Sequence, residues 1–184
     1  MTFMQSDMNL VWLDLEMTGL EPDRCSIVEI ATIITDSQLD ILAEGPAIAI
    51  YHDSKGLSTM EKWSRDTHRR SGLLRRVEES KVSTRQAEEQ TLNFIRQYCP
   101  EKTSPLCGNS IGHDRRFLER YMPALFSYFH YRNIDVSTVK ELVRRWYPNG
   151  PSAPMKKGKH LALDDIRESI NELKFYREDY FIKY

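Results

Sequence analysis

The stretch Leu10–Glu16, LVWLDLE, constrains the fold most, because it alternates like a buried strand while carrying two acids. Strand side chains point to opposite faces in turn, so one face holds Val11, Leu13 and Leu15, and the other Leu10, Trp12, Asp14 and Glu16. The two carboxylates then lie about 7 Å apart at Cβ and point the same way. Mg²⁺ and Mn²⁺ favour such oxygen ligands. A solvated strand end is the other interpretation, since charged side chains usually lie at the surface.

Extended and helical patterns alternate along the rest of the chain and predict an α/β fold. Ser26–Thr35 and Leu39–Tyr51 are also extended, and the short spacers DSQ and EGP indicate hairpin-like turns or a bulge, which predicts an antiparallel meander. A capping box of Ser83 and Gln86 opens a helix that ends before Pro100. The later patterns predict short strands at Ser104–Asn109 and Tyr131–Val136, and helices at Ile111–Tyr121, Thr138–Tyr147 and about Leu161–Arg177. We therefore expect residues 1–184 to form a single domain with a mixed central sheet flanked by helices.

A third acid lies on the apolar side of a predicted helix. Asp114 is followed at i+3, i+4 and i+7 by Phe117, Leu118 and Tyr121, which share its face. An acid on a core-facing stripe requires a partner. That partner is either a metal, or a salt bridge or cap near the start of the helix.

The last helix carries a fourth acid. Its buried stripe contains Ile166 and Ile170, which leaves Asp164 facing solvent and places Asp165 at the boundary of the packed face. His160 precedes this helix and follows an irregular loop. A lone His is more often structural, but this position suits a general base.

The composition indicates which cellular compartment and which kinds of partner suit this chain. A formal net charge of -1 argues against a long nucleic-acid track and favours a short or locally held polyanion. The basic pairs along the chain are expected to be solvated, and Lys156, Lys157 and Lys159 are better placed to steer a substrate. Three cysteines without a C-x-x-C pairing fit a reducing compartment. No signal peptide or bilayer-spanning run is visible, so we expect a cytoplasmic protein without a membrane partner.

Taken together, Asp14 and Glu16, Asp114, and His160 with Asp165 resemble the motifs of the DEDD exonuclease superfamily, in its subgroup with a catalytic His. The segments WLDLEMTGL, CGNSIGHDRRFL, YFHYRNIDVSTVKEL and HLALDDIRESINEL are similar to the oligoribonuclease family, from about Asn9 to the C-terminus. The resemblance implies a ribonuclease H-like exonuclease fold and a 3′-to-5′ exoribonuclease. Its substrates would be di- to about pentanucleotides, and its products 5′-mononucleotides.

The same resemblance implies the cofactors and the residues that act. Two divalent cations, Mg²⁺ or Mn²⁺, would be held by four acids, with Asp14 as the bridging ligand and Glu16, Asp114 and Asp165 completing the set. His160 would be the general base that accepts the proton of the attacking water.

Substrate contacts follow from the resemblance too. Leu20 would wedge against a base and Trp63 would stack on one, although both could simply be packed. Hydrogen bonds to phosphate or sugar would come from His68, Ser110 and Ser137, although Ser137 could equally be only a helix N-cap. The family is typically homodimeric, and Tyr131 and Arg132 would complete the partner subunit's site, with Tyr131 supporting catalysis there.

Two other functions remain open on the sequence. The first is a neighbouring DEDD exonuclease, such as a DNA proofreading subunit or a tRNA-trimming ribonuclease. The second is a non-catalytic nucleic-acid-binding module, although binding alone requires neither four acids nor a base.

Overall fold

The computed structural model describes residues 5–154 and 161–181, and a six-stranded mixed sheet lies at its centre. The strands are β1 (Leu10–Met17), β2 (Ile27–Thr35), β3 (Ile41–Glu44), β4 (Ile48–Ala49), β5 (Leu106–Gly108) and β6 (Asn133–Asp135). Their order is β3-β2-β1-β5-β6, and β4 also pairs with β2. The pairs β1–β2, β2–β3 and β2–β4 are antiparallel, whereas β1–β5 and β5–β6 are parallel. The predicted antiparallel meander with added short strands is confirmed.

Helices cover both faces of this sheet. They are α1 (Lys62–Arg70), α2 (Leu73–Glu79), α3 (Thr84–Ile95), α4 (Gly112–Tyr121), α5 (Pro123–Tyr128), α6 (Val136–Trp146) and α7 (Ala162–Tyr180). Leu13 and its neighbours on one face of β1 pack with α3, α4 and α5. Trp12, on the opposite face, packs with Val136 of α6 and Ile166 of α7. Because strand side chains alternate, the Trp12 face also carries Asp14 and Glu16, so these acids point toward the α7 layer.

The extended segment predicted over Leu39–Tyr51 is interrupted at the spacer EGP, residues 44–46, where the sequence indicated a turn or bulge. The structure divides it into β3 and β4, and Leu39 takes a positive φ of 71° in the preceding turn. Pro46 lies in the gap and has no N–H to donate to a ladder, which ends the pairing there.

The sequence also misplaced the start of α6. The strand predicted over Tyr131–Val136 shortens to β6, and the helix begins at Val136 rather than Thr138. Asp135 is the N-cap, because its Oδ1 accepts a hydrogen bond from Ser137 N–H at 2.9 Å. The alternative that Ser137 is the N-cap is therefore wrong.

Three helices, α1, α2 and α5, were not among those predicted. Helices α1 and α2 form a pair joined by Gly72, whose φ of 78° lies in the left-handed region. Helix α7 also runs three residues past the predicted end at Arg177. No helix within the described ranges has the length and apolar character needed to cross a bilayer.

Candidate active site

Three carboxylates from two elements meet at one end of the sheet. One ligand oxygen from each of Asp14, Glu16 and Asp165 lies within 4.8 Å of the others. Strand β1 supplies the first two on its α7-facing side, and α7 supplies the third from its first turns. The solvated-strand-end interpretation therefore fails for β1, because the acids face a covering helix.

The two adjacent acids of α7 have different surroundings. Asp165 joins the carboxylate cluster. Asp164 instead accepts a hydrogen bond from the guanidinium of Arg167 at 2.9 Å, and Arg167 also pairs with Glu44. Asp164 thus belongs to a surface ion-pair network rather than to the cluster.

Asp114 reaches the cluster from the opposite layer. Its Oδ1 accepts a hydrogen bond from the backbone N–H of Leu15 at 2.9 Å. Strand β5 pairs with β1 only at Val11 and Trp12, so the Leu15 N–H lies beyond the parallel ladder and needs another acceptor. This bond places the Asp114 carboxylate beside Asp14, whose pKa its charge raises.

Burial and like charge together raise the pKa of these acids. Burial holds the pKa of Asp14 well above its usual range, and the charges of Asp114, Glu16, Asp165 and Glu29 add to the effect. Burial, then the charges of Asp165, Glu29 and Asp114, raises the pKa of Glu16 to about 8. Burial also raises the pKa of Asp114 to about 7. A bound divalent cation would relieve this repulsion, and an all-carboxylate donor set suits Mg²⁺ or Mn²⁺.

These shifts make the stability of the metal-free protein dependent on pH. Each folded-state pKa lies above the unfolded value of about 4, so the folded state holds more protons between about pH 4 and pH 8. The free energy of unfolding of the metal-free protein should therefore fall as pH rises through that window. Mn²⁺ displaces these protons, so it should raise the melting temperature more near pH 8 than near pH 6. Thermal unfolding in chelator and in Mn²⁺ at both pH values measures this.

The matched control is Glu16→Gln, which removes one of the titrating acids. Its melting temperature in chelator should fall less between the two pH values than that of the unaltered protein. Equal slopes, or a Mn²⁺ effect independent of pH, would contradict the assignment of these acids to one metal-binding cluster.

His68 is buried behind Glu16 rather than exposed beside it. Its Nε2–H donates to the backbone carbonyl of Met17 at 2.8 Å, and its Nδ1 lies 3.7 Å from Glu16 Oε2. The His68 ring therefore connects α1 to the end of β1 and lies beside Glu16, on the side of Glu16 that faces the protein interior.

Leu20 and Trp63 are exposed apolar side chains on adjoining segments. The N–H of Glu61 donates to the carbonyl of Thr18 at 2.8 Å, which brings the two segments together. Leu20 is 54% exposed and Trp63 66% exposed, so neither is packed into the core. The approach is close enough that a Cβ on Gly19 would lie 2.6 Å from Cδ of Glu61.

Ser110 and Ser137 lie together around a residue that the sequence did not single out. Asp135 Oδ1 accepts from Ser110 N–H at 2.9 Å and from Ser137 Oγ–H at 2.6 Å. Ser110 itself has a φ of 52°, an unusual conformation for a residue other than glycine. The N-cap preference for Asp just before a helix was the signal that could have identified Asp135.

Tyr131 and Arg132 project from a segment held in place by α4. The Arg115 guanidinium donates to the His130 carbonyl at 3.2 Å and to Asn133 Oδ1 at 2.7 Å. Tyr131 and Arg132 are exposed, and the Arg132 guanidinium lies 5.1 Å from the centre of the Tyr131 ring. The predictions for His160, Lys156, Lys157 and Lys159 fall outside the described residues.

Comparison with known proteins agrees with this geometry. An exonuclease family model (RNase_T) matches residues 11–173. The oligoribonuclease of Vibrio cholerae serotype O1 is 59% identical over 176 residues, which cover 96% of this chain and 97% of that relative. The oligoribonuclease of Pseudomonas syringae pv. tomato is 60% identical over 181 residues, which cover 98% and 99%.

Among solved structures, E. coli exonuclease I in complex with a dT13 oligonucleotide matches with a TM-score of 0.72 at 14% identity. The match covers 93% of this chain and 41% of that one, so this protein spans about two fifths of that structure. At this identity the likeness shows the fold, which is the expected ribonuclease H-like exonuclease fold. Sequence identity near 60% over almost the full length of both chains places the protein in the oligoribonuclease family of the DEDD exonucleases.

Proposed function

We propose that this protein is a 3′-to-5′ exoribonuclease that hydrolyses di- to about pentanucleotides of RNA to 5′-mononucleotides. The observation that carries the proposal is the cluster of Asp14, Glu16 and Asp165, with Asp114 beside it, in a chain of the oligoribonuclease family. Neither a binding module nor a structural core requires a cluster of mutually repelling acids that are partly buried, because placing like charges together away from water is unfavourable.

We further propose that these four acids hold two divalent cations, Mg²⁺ or Mn²⁺. When bound, such ions activate water and stabilise charge at the phosphate. The residues of the chain provide the frame: Leu15 N–H fixes Asp114, the covering helix α7 fixes Asp165, and His68 lies behind Glu16. His160 is proposed as the base that accepts the proton of the attacking water, since it directly precedes Leu161, the N-cap of the helix that carries Asp165.

Two groups of side chains would hold the substrate, one through its bases and the other through its phosphate or sugar. Leu20 and Trp63 offer exposed apolar surface for bases, and stacking on an aromatic ring does not require a particular sequence. Ser110 and Ser137 offer hydroxyl groups beside Asp135 for phosphate or sugar. Such a site needs few basic residues, in keeping with a net charge of -1.

We also propose that the protein acts as a homodimer in the cytoplasm. The exposed Tyr131 and Arg132 are held by contacts of Arg115 and His130, so a second copy would meet a preformed surface. Their proposed role is to complete the partner's pocket around a terminal phosphate, which would limit substrate length. The three cysteines are unpaired and buried, as suits a reducing compartment.

A timed digestion tests the function directly. The substrates are end-labelled RNAs from dinucleotide to decanucleotide, with Mn²⁺ or Mg²⁺ and with chelator. We expect the dinucleotide to be cleaved fastest, with no cleavage in chelator. In the same digestion Arg132→Ala should slow the dinucleotide more than the decanucleotide, because its contact is proposed at the terminal phosphate.

The alternatives predict other outcomes of that digestion. A proofreading or tRNA-trimming exonuclease would prefer the longest strand. A binding module would be inert with both metals, and either result would overturn the proposed function.

A further inference from the structure

A fifth acid lies next to the carboxylate cluster. Glu29 on β2 pairs directly opposite Glu16 of β1, so their side chains lie on the same face of the sheet. Glu29 is only 1% exposed. This register places a fifth negative charge beside the cluster, in keeping with its contribution to the raised pKa of Asp14 and Glu16.

Arg76 of α2 neutralises this acid. Its Nη2 lies 2.6 Å from Glu29 Oε1. Over residues 5–154 and 161–181, neither buried oxygen of Glu29 accepts a hydrogen bond, so the ion pair with Arg76 is the compensation that this carboxylate has there. A buried carboxylate is costly without a cation beside it, so the ion pair with Arg76 offsets the Glu29 charge.

Two polar contacts hold α1 and α2 against the sheet. Arg76 joins α2 to β2, and His68 joins α1 to the Met17 carbonyl and Glu16 of β1. These two polar contacts lie at neighbouring strands on the end of the sheet that carries the cluster. Helix α1 also bears Trp63, so the placement of this exposed ring depends on the same docking.

We propose that Arg76 is a positioning residue of the metal site, which acts through Glu29. Its ion pair offsets the fifth carboxylate, so that cations are held by the four acids alone and in the arrangement that hydrolysis requires. This inference rests on the function proposed above. Without Arg76, Glu29 presents an uncompensated charge beside Glu16. This charge attracts a divalent cation more strongly and displaces it from the position that hydrolysis requires.

Binding of Mn²⁺ to the full-length protein, followed by the electron paramagnetic resonance of free Mn²⁺, tests the charge argument. Arg76→Met should bind Mn²⁺ about three- to tenfold more tightly, and Glu29→Gln more weakly by a similar factor, since each changes one charge near the site. The double variant should return close to the unaltered affinity. Arg76→Lys keeps the charge and should also do so.

Turnover of a dinucleotide provides the second measurement. Arg76→Met should lower kcat by about tenfold despite tighter Mn²⁺ binding, a combination that loss of folded protein does not give. The matched control is Arg75→Met on the same helix, because Arg75 is 82% exposed and pairs only with Glu79 one turn away among the described contacts. It should change neither quantity.

Three results would overturn the inference: equal Mn²⁺ affinity in Arg76→Met and Arg75→Met, no opposite shift in Glu29→Gln, or unchanged turnover in Arg76→Met. If Arg76→Met does not fold, Glu29→Gln and the double variant still decide the question. Failure of the unaltered protein to cleave short RNA would instead count against the proposed function, while the Mn²⁺ affinities would still test the ion pair.

Discussion

Asp14→Asn is expected to lower kcat for a dinucleotide by about a thousandfold or more, because metal-ion catalysis stabilises the transition state by several kcal/mol. The same substitution should stabilise the metal-free protein. Asp14 has its pKa raised by burial and by four neighbouring acids, so removal of its charge relieves repulsion in the folded state. Lower activity with a higher melting temperature in chelator is therefore the expected pair of results.

Steady-state kinetics with Mn²⁺ and thermal unfolding in chelator near pH 8 measure the two effects. Asp164→Asn is the matched control, since Asp164 pairs with Arg167 outside the cluster. It should retain activity within about twofold, as surface changes usually do. An Asp14→Asn variant with ordinary turnover would remove Asp14 from the proposed mechanism.

The carboxylate of Asp114 has two proposed roles, its negative charge and its hydrogen bond with Leu15 N–H. Substitution by Asn and by Ala is expected to distinguish them. Asn keeps an oxygen that can accept from Leu15 N–H but loses the charge, so turnover should fall by about a hundredfold or more with little loss of stability. Ala loses the acceptor as well and leaves a buried N–H unpaired. The free energy of unfolding should then fall by a further ~1–3 kcal/mol relative to Asn.

Denaturant unfolding of the two variants, combined with kinetics on a dinucleotide, distinguishes the roles. Equal stability of the Asn and Ala variants would mean that the Leu15 hydrogen bond does not hold Asp114 in place. Full activity of the Asn variant would mean that the Asp114 charge is not needed for hydrolysis.

Periodicity alone located most of the acidic cluster. Alternation placed Asp14 and Glu16 on one face of β1, and the 3.6-residue repeat selected Asp165 over Asp164, because both rules depend only on local geometry. The same rules placed Asp114 on a core-facing stripe but could not identify its partner. That partner is a backbone N–H of β1, freed because β5 ends early, which is a property of strand register rather than of local sequence.

Residues whose role depends on a neighbouring element were missed. Glu29 appeared as one acid in an apolar strand, and only the register against β1 places it opposite Glu16. Helices α1 and α2 were missed because their docking is set by contacts such as Arg76 with Glu29, from segments far apart in the chain. The division of β3 from β4 agrees with the turn or bulge that the sequence indicated at EGP, because Pro46 has no N–H to donate to a ladder.

The two layers that meet at the cluster also have a consequence for biosynthesis. Asp14 and Glu16 belong to the first strand, whereas Asp165 belongs to α7, which follows every strand of the sheet along the chain. Asp114 comes from the layer on the other face. A nascent chain can thus form its sheet and its first layer on the ribosome while still lacking a cluster acid. If the cluster is the metal site proposed above, nuclease activity would require α7 to have emerged and docked.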